Sequence, residues 1–222
     1  MKKYLILFVV FFILYGSLAM SAEVKQKNNL KIAFLGDSIT WFGWNTPYGY
    51  VQKTVKALND EGFIITPFPE GVGGNVTQEM LNRMDSDILN NKPDIMFFMG
   101  GINDIWLENN RVRKYRKNVE KIIDKAQKDN IEVILINLTV ISEDIKAPKN
   151  KKIAKYNKML EKIAKEKNVQ LIDINTPLWN EINKYDKHGG IVTIPDGVHL
   201  NEKGNDILSK KVVSDFLETH KP

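Results

Sequence analysis

The sequence predicts an α/β fold: a parallel sheet of five strands with helices covering both faces. Two observations carry this. Five short, nearly continuous apolar runs recur along the chain, separated by stretches whose apolar residues recur with helical spacing. Glycines and polar residues gather where the runs end, and in such sheets ligands bind beyond the carboxyl ends of the strands.

The elements follow in order. Residues 1–22 read as a signal peptide. Lys2 and Lys3 precede the apolar run Tyr4 to Tyr15, and Gly16, Ser17, Ala19, Ser21 and Ala22 supply small residues for cleavage. An uncleaved anchor is the rival reading, because the apolar stretch to Met20 approaches the span of a bilayer. Export is the expectation either way, to a periplasmic, surface or secreted location, with membrane contact only if the segment is kept. Residues 23–222 read as a single domain, since no repeat, linker or composition break divides them.

Ile32 to Leu35 form the first strand. Pro47 opens a helical stretch with Val51, Val55 and Leu58 on one face, and Gly62 ends it. Phe63 to Ile65 form the second strand, and Met80, Leu81, Met84 and Ile88 share the face of the next helix. Asp94 to Met99 form the third strand. Val112, Tyr115, Val119, Ile122 and Ala126 line a long amphipathic helix. Val133 to Leu138 form the fourth strand. A lysine-rich helix with Ile153, Tyr156, Leu160 and Ile163 inward leads to the fifth strand, Val169 to Ile174. An irregular stretch precedes a last helix, Glu202 to Leu217.

Composition narrows the chemistry. At 222 residues and 43% hydrophobic, the chain has material for a sizeable core. It has no cysteine, which excludes disulfides, thiolate nucleophiles and thiolate zinc sites. The formal charge is +5, two of it from Lys2 and Lys3. The lysines between 146 and 167 read as the solvated face of a helix. No aromatic interleaving accompanies them, so no nucleic-acid partner is expected.

Four loops at the predicted active edge carry polar residues. They are Gly36-Asp37-Ser38, the glycines 71, 73 and 74 with Asn75, Gly100-Gly101-Ile102-Asn103-Asp104, and Asp196-Gly197-Val198-His199. Each has a plain alternative. Ser38 suits a helix cap, Asn75 with Gln78 suits a helix start, Asn103-Asp104 suits a turn, and a lone His199 suits the surface. Taken together they suit acyl transfer. A serine hydroxyl needs a base beside it, and His199 is a candidate base. Asp196 in the same loop is placed to accept the other imidazole N–H. The Ser38 and Gly74 backbone N–H groups and the Asn103 amide are candidate oxyanion donors. The Gly-x-Ser-x-Gly elbow is not met, because Thr40 stands at its last position, and no dinucleotide fingerprint is completed around Gly71.

Gly36-Asp37-Ser38-Ile39, Gly74, Gly101-Ile102-Asn103-Asp104 and Asp196-Gly197-Val198-His199 resemble, in order and spacing, the sequence blocks of the SGNH hydrolases, or GDSL esterases. The resemblance implies a flavodoxin-like three-layer α/β/α sandwich. It implies Ser38 as nucleophile, His199 and Asp196 completing the triad, and Ser38, Gly74 and Asn103 as the oxyanion hole, with no metal or organic cofactor. Ile39 replaces the leucine of the motif's name, and Leu200 stands where many members have proline. The segments 47–51, 73–77 and 101–106 are similar to members that deacetylate carbohydrates, acetylxylan esterase-like ones included.

Trp41 and Trp106, with Trp44, lie near the expected site, where their faces suit sugar rings, an acyl pocket or plain core packing. Asp37, Trp41, Trp106 and Val198 are the candidate substrate contacts, although Asp37 also suits scaffolding of its turn. The expectation is an exported serine esterase that removes acetyl or other short acyl groups from a carbohydrate or glycoconjugate. A lysophospholipase or broad lipolytic esterase is the alternative enzyme, and a non-catalytic glycan-binding surface protein is the alternative of another class.

Overall fold

The structure, a computed structural model, describes residues 28–107, 112–186 and 189–222. The segment read as a signal peptide lies outside them. Five strands, β1 (Asn29–Gly36), β2 (Ile64–Gly71), β3 (Ile95–Met99), β4 (Glu132–Ile136) and β5 (Gln170–Ile172), pair in parallel. Their order, β2-β1-β3-β4-β5, is that of flavodoxin-like sheets. The helices are α1 (Ser38–Asn45), α2 (Tyr50–Asp60), α3 (Thr77–Asn82), α4 (Val112–Lys128), α5 (Pro148–Lys167), α6 (Asn175–Ile182) and α7 (Glu202–Thr219).

The layers follow from strand geometry. Alternate residues of a strand face opposite sides, so Phe97 and Phe98 of β3 serve different layers. Phe97 stacks on Phe34 with ring centroids 5.3 Å apart and lies 6.0 Å from Phe216 of α7. On the other face, Phe98 and Met80 of α3 converge beside Gly100. Helix α2 packs on α7, and α4 packs on α3 and α5. Phe34, Phe97, Phe98 and Phe216 are all buried, each worth roughly 1.5–3 kcal/mol of transfer free energy. Among the described residues, no helix is long and apolar enough to cross a membrane.

Several boundaries differ from the expectation, for physical reasons. Strand β2 runs six residues beyond Ile65, to Gly71, across Pro67 and Pro69. It lies at the sheet edge, where proline is tolerated. Helix α1 is additional: it begins at Ser38, and Asp37, not Ser38, caps it. The next helix begins at Tyr50 behind Gly49 rather than at Pro47. Helix α3 starts at Thr77 behind Val76, whose N–H is taken by Glu79 Oε2 at 2.9 Å; Asn75 and Gln78 do not form its start. From Met84 the continuous helix expected to Ile88 widens into a π turn, followed by a 3-10 turn at Leu89–Asn91. Strand β5 is shorter than expected, and the stretch read as irregular contains α6. Pro177 falls in the first turn of α6, where no intrahelical N–H bond is lost.

Candidate active site

The order of the sheet reverses between β1 and β3, and the site forms where their carboxyl ends diverge. At Gly36 the chain must turn against its own helix. A Cβ there would lie 2.0 Å from Thr40 Oγ1 and 2.8 Å from Met99 O, so only glycine fits. Asp37 follows as the cap of α1, its Oδ1 accepting the Ile39 N–H at 3.0 Å. Ser38 is therefore the first helical residue, with its backbone N–H among the groups a helix start leaves without an intrahelical partner. Thr40 and Tyr50 share a hydrogen bond of 2.9 Å beneath it.

Asp37 is 2% exposed. Burial, reinforced by the charge of Asp104, pushes its carboxyl up to about 7, against the pull of the Ile39 N–H and Arg83. Its reading as a substrate contact is corrected: the side chain is turned inward onto the helix start. The alternative reading as scaffold of the turn fits its position.

The loop after α6 brings the histidine to the serine. Ser38 Oγ and His199 Nε2 are 2.8 Å apart, and His199 Nδ1 and Asp196 Oδ2 are 2.6 Å apart. A carboxylate only accepts, so Nδ1 carries the imidazole proton and Nε2 accepts from the serine hydroxyl. Asp196 Oδ1 accepts the Val198 and His199 backbone N–H groups at 2.8 and 3.0 Å, which closes the loop locally. Burial works to raise the Asp196 carboxyl, but the hydrogen bonds from the His199 ring and these two N–H groups outweigh it and hold it below the ordinary carboxylate range. Asp196 is thus the ionised partner at neutral pH. Val198 is half-buried against the core while its N–H holds Asp196.

The second and third loops are tied together beside the serine. Asn103 Nδ2 donates to Asn75 O at 3.0 Å, which leaves the other amide hydrogen available. Asp104 takes the Thr77 N–H at 2.9 Å and the Thr77 hydroxyl at 2.7 Å, anchoring the start of α3. Gly74 has φ +77° and would meet nothing within 4 Å of an added Cβ, so the chain turns there against open space. Arg83, which the sequence reading did not single out, links these parts. Its Nη2 donates to Gly36 O and Glu70 O, both at 2.9 Å, and its Nε to Asn75 Oδ1 at 2.9 Å. The only trace of it in the sequence is an arginine amid the apolar face of Met80, Met84 and Ile88.

The aromatic residues divide. Trp41 is 45% exposed and stands edge-on to Phe42, which itself packs against the His199 ring at 4.7 Å. Phe42 was also not singled out from the sequence, for want of any motif around it. Trp106 is 49% exposed, with the Lys149 ammonium over its ring. Trp44 is partly buried against the core. Among the described residues there is no cluster of His, Asp and Glu that would hold a metal ion.

Comparison with known proteins bears on this arrangement. The model of the GDSL-like lipase/acylhydrolase family matches residues 34–207, from within β1 into α7. The chain belongs to this family. It is an SGNH-type carboxylic ester hydrolase with the α/β fold of that group. An acetylxylan esterase of Geobacillus stearothermophilus is 24% identical over 209 residues, covering 84% of this chain and 94% of that protein. The solved acetyl xylan esterase AlAXEase is 30% identical with a TM-score of 0.76, covering 84% of this chain and 99% of its own. A Bacillus subtilis lipoprotein, YqeF, is 30% identical over 151 residues, covering 64% of this chain and 59% of that protein. Solved catalytic mutants of the Geobacillus enzyme replace a serine, an aspartate or a histidine by alanine, the last two three positions apart.

Proposed function

We propose that this GDSL-family member is a serine esterase that removes acetyl groups from a carbohydrate, with acetylated xylan or xylo-oligosaccharide as the substrate class to test first. The observation that carries the mechanism is the hydrogen-bonded line from Ser38 Oγ through His199 to Asp196. Ser38 Oγ attacks the ester carbonyl while His199 Nε2 takes its proton. Asp196 stabilises the imidazolium. The developing oxyanion lies against the Ser38 and Gly74 backbone N–H groups and the Asn103 amide. His199 then returns the proton to the departing sugar alkoxide, leaving acetyl-Ser38. Water, deprotonated by His199, attacks this ester, and acetate departs as Ser38 regains its proton.

The substrate class has two supports. The acetylxylan esterases named above each cover 84% of this chain, and exposed Trp41 and Trp106 offer faces suited to sugar rings. Export of the protein belongs to the same proposal, supported by the lysines and apolar run of residues 1–22 and by a relative named a lipoprotein.

Acetate release from acetylated xylo-oligosaccharides, other acetylated glycans and p-nitrophenyl esters of rising chain length tests this reading, with Ser38→Ala as control. Ser38-dependent turnover that prefers acetate supports it. Preference for long acyl chains or lysophospholipid would replace it with a lipolytic esterase. Glycan binding without Ser38-dependent fluorophosphonate labelling would replace it with a binding protein.

A further inference from the structure

Glu143 lies in the loop after β4, outside the serine–histidine–aspartate line, and is 2% exposed. Among the described residues, its carboxylate accepts hydrogen bonds from Gly189, Ile191, Val192 and Thr193 of one short segment. Oε2 takes the Gly189 and Ile191 N–H groups at 2.9 Å each. Oε1 takes the Val192 N–H at 2.7 Å, and the Thr193 N–H and hydroxyl at 2.9 Å each. Burial works to raise this carboxyl, but the N–H groups hold it below the ordinary range. A buried carboxylate is costly unless its lone pairs are filled, and here donors converge on both oxygens.

The segment so gripped leads straight into the catalytic loop and pairs with its far end. Thr193 bridges Leu200, and the Ile194 N–H donates to His199 O at 2.9 Å. The Asn201 N–H donates to Val192 O at 3.0 Å. Beside Glu143, the Ser142 N–H donates to Gly197 O at 2.6 Å, between Asp196 and Val198. Residues 142 and 143 thus hold the loop on both sides of Asp196. Movement of Thr193 and Ile194 passes directly to the His199 backbone.

We propose that Glu143 is the positioning residue of the catalytic loop, its carboxylate setting segment 189–193 so that His199 Nε2 meets Ser38 Oγ. This rests on the esterase reading above. Glutamine matches glutamate in shape but replaces one oxygen with a donor. Whichever way the amide turns, at least two loop N–H groups then face N–H rather than an acceptor.

The test is a kinetic cycle on the full chain with p-nitrophenyl acetate: wild type, Glu143→Gln, His199→Ala and the double variant, with Ser38→Ala as blank. Misplacement of a catalytic group by an ångström costs up to about 100-fold, so Glu143→Gln should lower kcat by roughly 10- to 100-fold with KM little changed. Once His199 is removed there is nothing left to position. The double variant should then match His199→Ala within about threefold. Multiplying losses in the double variant, or a Glu143→Gln enzyme as active as wild type, would overturn the positioning role. If Glu143→Gln does not fold, Thr193→Val, which removes the hydroxyl bond to Glu143 Oε1, takes its place in the same cycle under the same criteria. Absence of any Ser38-dependent turnover in wild type is a separate result, one that overturns the esterase reading and the positioning role with it.

Discussion

Replacing Asp37 by asparagine should stabilise the protein, and by an amount that depends on pH. The side chain is buried and its one direct task is to cap α1 through Oδ1, which the asparagine carbonyl can also do. The native carboxyl titrates at about 7 because burial, helped by nearby Asp104, disfavours its charge; the free group titrates near 3.8. Well below pH 3.8 both folded and unfolded chains hold the proton, and the aspartate costs nothing extra. Between these values the unfolded state releases the proton first, so wild-type stability falls as pH rises. Above pH 7 the fall levels off. About three pH units at 1.36 kcal/mol each put the full cost at roughly 4 kcal/mol.

Urea unfolding of wild type and Asp37→Asn from pH 4.5 to 8.5 reads this directly. The stability gap in favour of the variant should be small at pH 4.5 and approach its full size at pH 8. Glu70 and Asp104 are also raised by burial, but both remain in the variant, so their own contributions largely cancel in the difference. A gap that stays constant with pH, or one that favours wild type at pH 8, would refute the argument that Asp37 is held near neutrality by its burial.

Asn103→Ala should lower kcat for acetyl esters by about 100- to 1000-fold with little change in KM, the loss expected of one oxyanion donor; steady-state kinetics checks it. Gly36→Ala should cost on the order of 3 kcal/mol or more, because its methyl group runs into Thr40 and the Met99 carbonyl; thermal unfolding would show it. Trp106→Ala should reduce kcat/KM on acetylated xylo-oligosaccharides by about tenfold while leaving p-nitrophenyl acetate nearly unaffected, since the sugar, and not the small ester, would use the indole face that Lys149 leaves open. Equal losses on both substrates would remove Trp106 from glycan binding.

The parts of the fold legible in the sequence were those buried on both faces. β1, β3 and β4 announce themselves as unbroken apolar runs because helices cover them on either side. β2 is half-buried along an edge and interrupted by prolines, so its apolar signal stops at Ile65. Helix α1 is short, with exposed Trp41 and Phe42 blurring its period. At the site, Ser38, Asp196 and His199, which the structure joins by hydrogen bonds, were legible because each sits in a short block of glycines and polar residues at a strand or helix end; the oxyanion roles expected of Gly74 and Asn103 belong to the proposal above. Glu143 and Arg83 were not. Glu143 bonds to backbone groups 46 to 50 residues away, and Arg83 to the Gly36 carbonyl 47 residues away. A backbone partner can belong to any residue type, so such contacts leave no pattern in the composition around either end.

The prolines of β2 have a further consequence, for how copies of this molecule can meet. Val72, an even-numbered residue, turns its N–H toward β1 to reach Gly36 O, so the odd-numbered residues of the strand turn theirs outward. Of positions 65, 67 and 69 on that outer rim, Ile65 has its N–H occupied by Asn59 Oδ1, and Pro67 and Pro69 have none to offer. An incoming strand would find carbonyls and no free amide at three successive places. The rim therefore resists extension of the sheet by a second chain, a safeguard that matters most for a protein exposed to its own copies before folding is complete.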